Sequence, residues 1–290
     1  MSSSSPALAS PDFDAVVTRL RAAGCVFAED EAALLVAAAP TSAELDAMVR
    51  RRADGLPLEH VLGWAEFCGL RVAVDLQVFV PRVRTEFLVR QAAAFARPQA
   101  VVVDLCCGTG AVGLALLAAL AAAGTPAAEL HAADIDPAAV RCARRNLASP
   151  GSGIRSTDVS STDLPSTDLP STEVHQGDLY DPLPDRLRGR VDLLVVNAPY
   201  VPTGEIELLP TEARVHEARV ALDGGSDGLD QQRRVAAGAS RWLAPGGHLL
   251  IETSERQARH TAAVFAEGGL LPRIVGSDEL DATVVVGARP

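Results

Sequence analysis

Three short stretches of this sequence combine residue types that could do chemistry. The first is Asp104-Leu105-Cys106-Cys107-Gly108-Thr109-Gly110, placed directly after the apolar run Val101-Val102-Val103. Glycines after such a run let the backbone turn sharply into a helix and approach a ligand closely. Gly108, Gly110 and Gly113 have dinucleotide-fingerprint spacing, but Asp104 stands where an apolar residue is usual. No Gly-Lys-Ser/Thr follows, which excludes a triphosphate-binding loop. The second stretch is Ala133-Asp134-Ile135-Asp136-Pro137, with Asp134 24 residues beyond Gly110. That offset suits a carboxylate accepting from two ribose hydroxyls. Asp136 reads as the N-cap of a helix opened by Pro137. Asp178, in Gly177-Asp178-Leu179, could accept from an adenine amino group or simply close a turn.

The third stretch is Val195-Val196-Asn197-Ala198-Pro199-Tyr200-Val201-Pro202. An amide side chain there ends a strand, where open sheets place ligands. Pro199 forces residue 198 out of the helical region, so the Ala198 carbonyl can project outward. That carbonyl and the Asn197 side-chain oxygen could accept both hydrogens of a planar NH2 group and leave its nitrogen facing an electrophile. Tyr200 could stack on the flat group. Catalysis of this kind is positioning plus electrostatic stabilisation, with no metal required.

The elements that must position these residues fall into two patterns. Residues 1–10 carry serines and small residues and read as disordered. Residues 11–69 read as a small helical domain, with helices over Phe13–Ala23, Asp30–Ala38 and Ala43–Ala53, the last capped by Thr41-Ser42. Residues 70–86 read as a hairpin, Leu70–Val74 against Val78–Val80, and a linker into a helix over Phe87–Ala96. From 87 to 290 strands and helices alternate. Strands are predicted at Val101–Leu105, Leu130–Asp134, Val174-His175, Val191–Val196, His248–Thr253, Arg273–Val275 and Thr283–Val286. The fold class is α/β, a doubly wound sheet closed by a C-terminal antiparallel hairpin. Residues 151–173 interrupt it with a Ser-Thr-Asp-Leu-Pro repeat and read as a surface insertion.

A net charge of −11 opposes nucleic acid, whose phosphates supply most non-specific affinity, so direct binding is not expected. Arg50, Arg51 and Arg52 read as a solvated helix face. Five cysteines at irregular spacing argue against a secreted disulfide framework and for the cytoplasm, and Cys106-Cys107 read as small core residues, not a redox pair. The histidines show no metal-ligand spacing, so no metal is expected. No apolar run reaches membrane-spanning length.

Several ordered motifs resemble the HemK/PrmC family of protein-(glutamine-N5) methyltransferases. Pro57-Leu58-Glu59-His60-Val61-Leu62-Gly63 with Phe67-Cys68-Gly69, and Pro81-Arg82-Val83-Arg84-Thr85-Glu86, resemble its N-terminal motifs. Asp104–Gly110 resembles its cofactor loop, Asn197–Tyr200 its Asn-Pro-Pro-Tyr, and Ala221-Leu222-Asp223-Gly224-Gly225-Ser226-Asp227-Gly228 the segment that follows. Glu252, Ser254 and Gln257 continue the series. The resemblance implies a class I fold that binds S-adenosylmethionine (SAM) through Asp104, Cys106, Gly108, Gly110, Asp134, Asp178 and Asn197. It implies catalysis by Asn197, Pro199 and Tyr200, with Ala198, Thr85 and Glu86 on the substrate. The implied partner is a protein or peptide presenting a glutamine amide, such as a peptide-chain release factor. Four departures suggest a divergent branch, with another amide, a peptide or a small molecule as the alternative acceptor. Ala198 replaces a proline, Cys106 a glycine, Glu59-His60 a Gln-Tyr and Arg84 a glutamate. Adenine N6 or cytosine N4, or SAM binding without catalysis, are further alternatives.

Overall fold

The computed structural model describes residues 10–148 and 170–290. Helices α1 (Ser10–Ala22), α2 (Ala28–Ala38), α3 (Ser42–Ala53) and α4 (Leu58–Leu62) enclose a small core that includes Leu20, Leu35, Val49 and Val61. Each is short, so this shared core, not helix propensity, holds them. Thr41 caps α3: its hydroxyl oxygen accepts from the Glu44 N–H at 3.2 Å and its proton goes to the Glu44 carboxylate at 2.8 Å.

Two expectations in this region are corrected. The hairpin is β1 (Trp64–Phe67) against β2 (Leu70–Ala73), not Leu70–Val74 against Val78–Val80. Its two-residue turn, Cys68-Gly69, has φ of 50° and 70°, the twist that suits a tight hairpin. Val78 and Val80 are buried without joining a strand. Arg52, in turn, is not on a solvated face. It is buried, with its guanidinium gripping Glu31 at 2.6 and 3.0 Å and reaching Glu212 at 2.7 Å, far along the chain.

A 3-10 turn at Val83–Thr85 leads into α5 (Glu86–Ala93). Then come β3 (Val101–Leu105), α6 (Ala111–Ala122), β4 (Glu129–Asp134), α7 (Pro137–Leu147), β5 (Ser171–Gln176) and β6 (Val191–Val196). The chain ends with α8 (Thr211–His216), α9 (Asp230–Trp242), β7 (Leu243–Thr253), α10 (Ala258–Glu267), β8 (Leu271–Ser277) and β9 (Ala282–Ala288). The seven-stranded sheet has the order β5-β4-β3-β6-β7-β9-β8. β3 and β6 are buried along most of their length because helices cover both faces, α5 to α7 on one and α9 with α10 on the other. β9 slots antiparallel between β7 and β8, which gives the expected C-terminal hairpin. Asp136 caps α7, accepting from the Ala138 N–H at 2.8 Å, as its sequence position predicts.

The low-complexity insertion does not run to residue 173. Ser171, Thr172 and Glu173 form the first half of β5 and pair in parallel with β4. The rest of the repeat lies outside the described residues, as do residues 1–9. Among the described residues, no helix is long and apolar enough to cross a membrane.

Removing one partner from a buried ion pair leaves the other charge uncompensated, whereas an exposed pair contributes little. Arg52→Ala is therefore expected to lower unfolding stability by about 3 kcal/mol in urea denaturation. Arg50→Ala breaks the exposed pair with Asp46 and is expected to cost about 0.5 kcal/mol or less. Equal losses would contradict the structural role given to Arg52.

Candidate active site

Strand order reverses between β3 and β6, because the chain runs outward from β3 to β4 and β5, then returns to β6 on the other side. Such a switch point leaves a crevice at the carboxyl ends of the strands. A cavity of about 720 Å³ opens there, within the usual range for a small-molecule site. Cys106–Thr109, Asp134–Asp136, Asp178-Leu179 and Asn197–Val201 contribute to its walls.

The glycine loop bends in left-handed steps, with φ of 55° at Cys106, 53° at Gly108 and 76° at Gly110. Gly110 is also crowded, since a Cβ there would stand 3.2 Å from that of Ala143. At Gly108 a Cβ would meet nothing within 4 Å, so that backbone faces open space. Cys106 adopts a conformation that glycine takes at no steric cost, which explains why a glycine suits this position. Burial, with Asp134 and Asp104 nearby, pushes its thiol well up, and Cys107 behaves likewise. Both sulfurs therefore stay protonated and poorly nucleophilic at neutral pH.

Asp134 closes β4 with its carboxylate on the cavity wall. One oxygen accepts from the Gly108 N–H at 2.8 Å and the other from the Asp136 N–H at 2.9 Å. Burial raises its pKa, and these two donors oppose the rise. Ile135 is half exposed beside it, and Leu179 lines the same wall. Asp178 also faces the cavity, held by Arg234 at 2.6 Å. A carboxylate at a strand end, flanked by apolar side chains and an open glycine turn, fits a nucleoside cofactor such as SAM.

Across the crevice, Asn197 follows the last residue of β6 and is half buried on the cavity wall. The Ala198 carbonyl accepts no backbone hydrogen bond among the described residues. The loop is pinned from behind. The Val201 N–H donates to Leu222 at 3.1 Å, and the Gly224 N–H donates back to Val201 at 2.8 Å. The Gln257 amide donates to the carbonyls of Tyr200 and Asp227, both at 3.0 Å, while its oxygen accepts from Ser254 at 2.6 Å. Gly228 lies so close to Gln257 and Tyr200, at φ 79°, that any side chain would break the clamp.

A second set of charges supports the rim. Arg84 donates to the Tyr200 hydroxyl at 2.5 Å and to Glu252 at 3.2 Å. Burial pushes the Glu252 carboxyl up, against Thr85, Arg84 and Tyr200. Burial, with Glu252 near, pushes the Tyr200 hydroxyl up to about 12, so it stays neutral. Arg82 pairs with the buried Glu217 at 2.6 Å, and Glu217 also accepts from the Val80 N–H at 3.1 Å. These contacts fasten the Pro81–Glu86 segment over the crevice.

Of the residues singled out in the sequence, Thr85, Cys106, Gly108, Asp134, Asp178, Asn197, Ala198, Pro199 and Tyr200 line one cavity. Three are placed otherwise. Asp104 is buried and accepts from the Gly113 N–H at 2.9 Å, so it braces the start of α6 behind the cavity wall. Burial pushes its carboxyl up to about 7. Glu86 accepts from the Cys68 N–H at 2.8 Å and so steadies the hairpin turn. Gly110 shapes the loop without lining the cavity. Of the departures in the N-terminal motifs, only Arg84 reaches the cavity. His60 is buried and bonded to the Val78 carbonyl at 2.9 Å, and Glu59 lies beside it on α4. Gln231 lines the cavity without having been singled out, and only proximity across the fold reveals it, while Arg82 lines it from the Pro81–Glu86 motif.

Comparison with known proteins agrees with this geometry. Residues 83–229 match the Methyltransferase small domain. The release factor glutamine methyltransferase of Geobacter sulfurreducens is 35% identical over 242 residues, covering 83% of this chain and 76% of that protein. The 4-amino-L-phenylalanine/4-methylamino-L-phenylalanine methyltransferase of Streptomyces pristinaespiralis is 36% identical over 230 residues, covering 76% and 69%. A methyltransferase crystal structure from Pyrococcus furiosus shares the fold, with a TM-score of 0.51 at 13% identity over 76% of this chain and 89% of that one. The chain belongs to the HemK/PrmC-like family of release factor glutamine methyltransferases, SAM-dependent enzymes of the class I α/β fold.

Proposed function

We propose that this enzyme methylates the side-chain amide nitrogen of a glutamine in a peptide-chain release factor. The observation that carries this reading is the pinned Asn197-Ala198-Pro199-Tyr200 loop on the same cavity as the Asp134 wall. The names of the relatives supply the acceptor.

An amide nitrogen is a poor nucleophile because its lone pair is delocalised into the carbonyl. The Asn197 side-chain oxygen and the Ala198 carbonyl would accept its two hydrogens and fix its plane. The face of the nitrogen is then turned toward the cofactor side of the cavity. Bound SAM supplies an already activated methyl group, so the chain needs to provide no metal and no covalent nucleophile. As positive charge develops on the nitrogen, the two oxygens stabilise it without moving, and one of the two N–H protons is released to water once the new C–N bond has formed. Tyr200, held by Arg84, would flank the amide and keep water from its face. Asp134 would hold the ribose, with Ile135 and Leu179 against the adenine and Asp178 near its amino group. All five cysteines are free, which suits a cytoplasmic setting.

Asn197→Ala is expected to lower methyl transfer about 100-fold or more while leaving SAM affinity nearly unchanged. Calorimetry beside single-turnover kinetics checks this, and a parallel loss of binding and rate would remove Asn197 from the acceptor role.

A release factor carrying Gly-Gly-Gln, incubated with methyl-labelled SAM, is expected to take the label on that glutamine. Mass spectrometry of its peptides locates the methyl group. An unlabelled release factor, together with labelled 4-amino-phenylalanine, would instead align this chain with its arylamine-methylating relative.

A further inference from the structure

One cluster of metal-ligating side chains lies outside the cavity. His131 on β4 stands opposite Glu173 on β5, and His175 follows two residues on. All three are on the sheet face opposite α7, since Leu130, Ala132 and Val174, which alternate with them, pack on the α7 side. His131 Nδ1 is 3.0 Å from His175 Nε2, and His175 Nε2 is 3.9 Å from a Glu173 oxygen. One ligand atom from each residue lies within 4.8 Å of the other two. Tetrahedral metal ligands about 2.1 Å from an ion stand about 3.4 Å apart, so shifts of about 1 Å or less bring these three into range.

The surroundings resemble a built site more than a chance meeting. Ligating imidazoles usually give their second nitrogen to a carboxylate, which fixes ring and tautomer. Here His131 Nε2 is 3.1 Å from Glu129. Ligating carboxylates are themselves held by hydrogen bonds. Arg186 holds the other oxygen of Glu173 at 2.7 Å. Arg186 and Arg190 also lie 3.6 and 3.7 Å from Glu129, so the two carboxylates offset two nearby guanidiniums. His131 is buried, while Glu173 is 41% exposed and leaves a path from solvent.

We propose that His131, His175 and Glu173 bind a divalent transition metal of the zinc class, with Glu129 and Arg186 orienting the ligands. Two imidazoles and one carboxylate favour zinc, nickel or copper over the all-oxygen preference of magnesium and calcium. The ion would rivet the edge strand β5 to β4. β5 runs directly into Gly177-Asp178, and the Gly177 N–H donates to the Asp134 carbonyl at 3.0 Å. The site would therefore stiffen one wall of the cofactor cavity without contributing an atom to it. Linear spacing hid it, because the ligands meet only through the register of two strands.

The test is zinc titration of the tag-free, chelator-treated full chain, followed by calorimetry and thermal melts. One equivalent is expected to bind, raising the melting temperature by about 5 °C at saturation. His175→Ala and Glu173→Gln are each expected to weaken zinc binding about 100-fold or more, while both variants keep the SAM affinity of the zinc-free wild type. Cobalt as a second probe should give the visible absorption of a tetrahedral site in the wild type alone. Zinc binding that survives in both variants would place the ion elsewhere, such as at the cysteines. The absence of saturable binding below about 100 µM would also overturn the proposal and leave a plain histidine–histidine hydrogen bond.

Discussion

The amide of Gln257 joins the carbonyls of Tyr200 and Asp227, and the Asn197–Tyr200 wall of the cavity depends on that junction. In its proposed role, a loop that holds a planar amide by two oxygens cannot drift, because misplacement of about 1 Å can cost catalysis about 100-fold. Pro199 and Pro202 limit the backbone from within, and Gln257 with the 222–224 segment limits it from behind. Gly228 is glycine because the clamp leaves no volume for a side chain. The sheet supplies the remaining rigidity, since Asn197 follows a strand buried between two helical layers.

Much of this was legible in the amino-acid order. β3 and β6 are continuous apolar runs, and such runs between helices read as central parallel strands. The Asp136-Pro137 start of α7 is a local signal, and it appears where local chemistry places it. Contacts between distant segments were not legible. Arg52 looked like one of three surface arginines until Glu31 and Glu212 were brought to it. The hairpin was misplaced because Val78 and Val80 are β-prone, yet the Cys68-Gly69 turn pairs the strands before them. Asp104 and Glu86 carry the charge expected at a ligand site, but each turns to a backbone N–H of its own scaffold. Charge and motif position alone do not report where a side chain points.

The departures from the family pattern also sort by place. Glu59 and His60 do not reach the cavity, so their change bears on packing around the helical module and not on the cavity's lining. Cys106 keeps the left-handed turn that the loop requires, and its buried thiol stays protonated. Ala198 loses the stiffness of a proline ring but remains buried in the clamped loop. Arg84 alone changes the chemistry of the rim, where it bridges Tyr200 and Glu252. Specificity within the family would therefore be expected to differ at this corner first.

A crystal structure of the enzyme with S-adenosylhomocysteine and a glutamine-bearing peptide tests the central claim most directly. The account predicts the glutamine nitrogen within hydrogen-bond distance of the Asn197 side-chain oxygen and the Ala198 carbonyl, with the cofactor sulfur facing that nitrogen. An acceptor held elsewhere, or Asn197 turned away from it into the protein, would contradict the account.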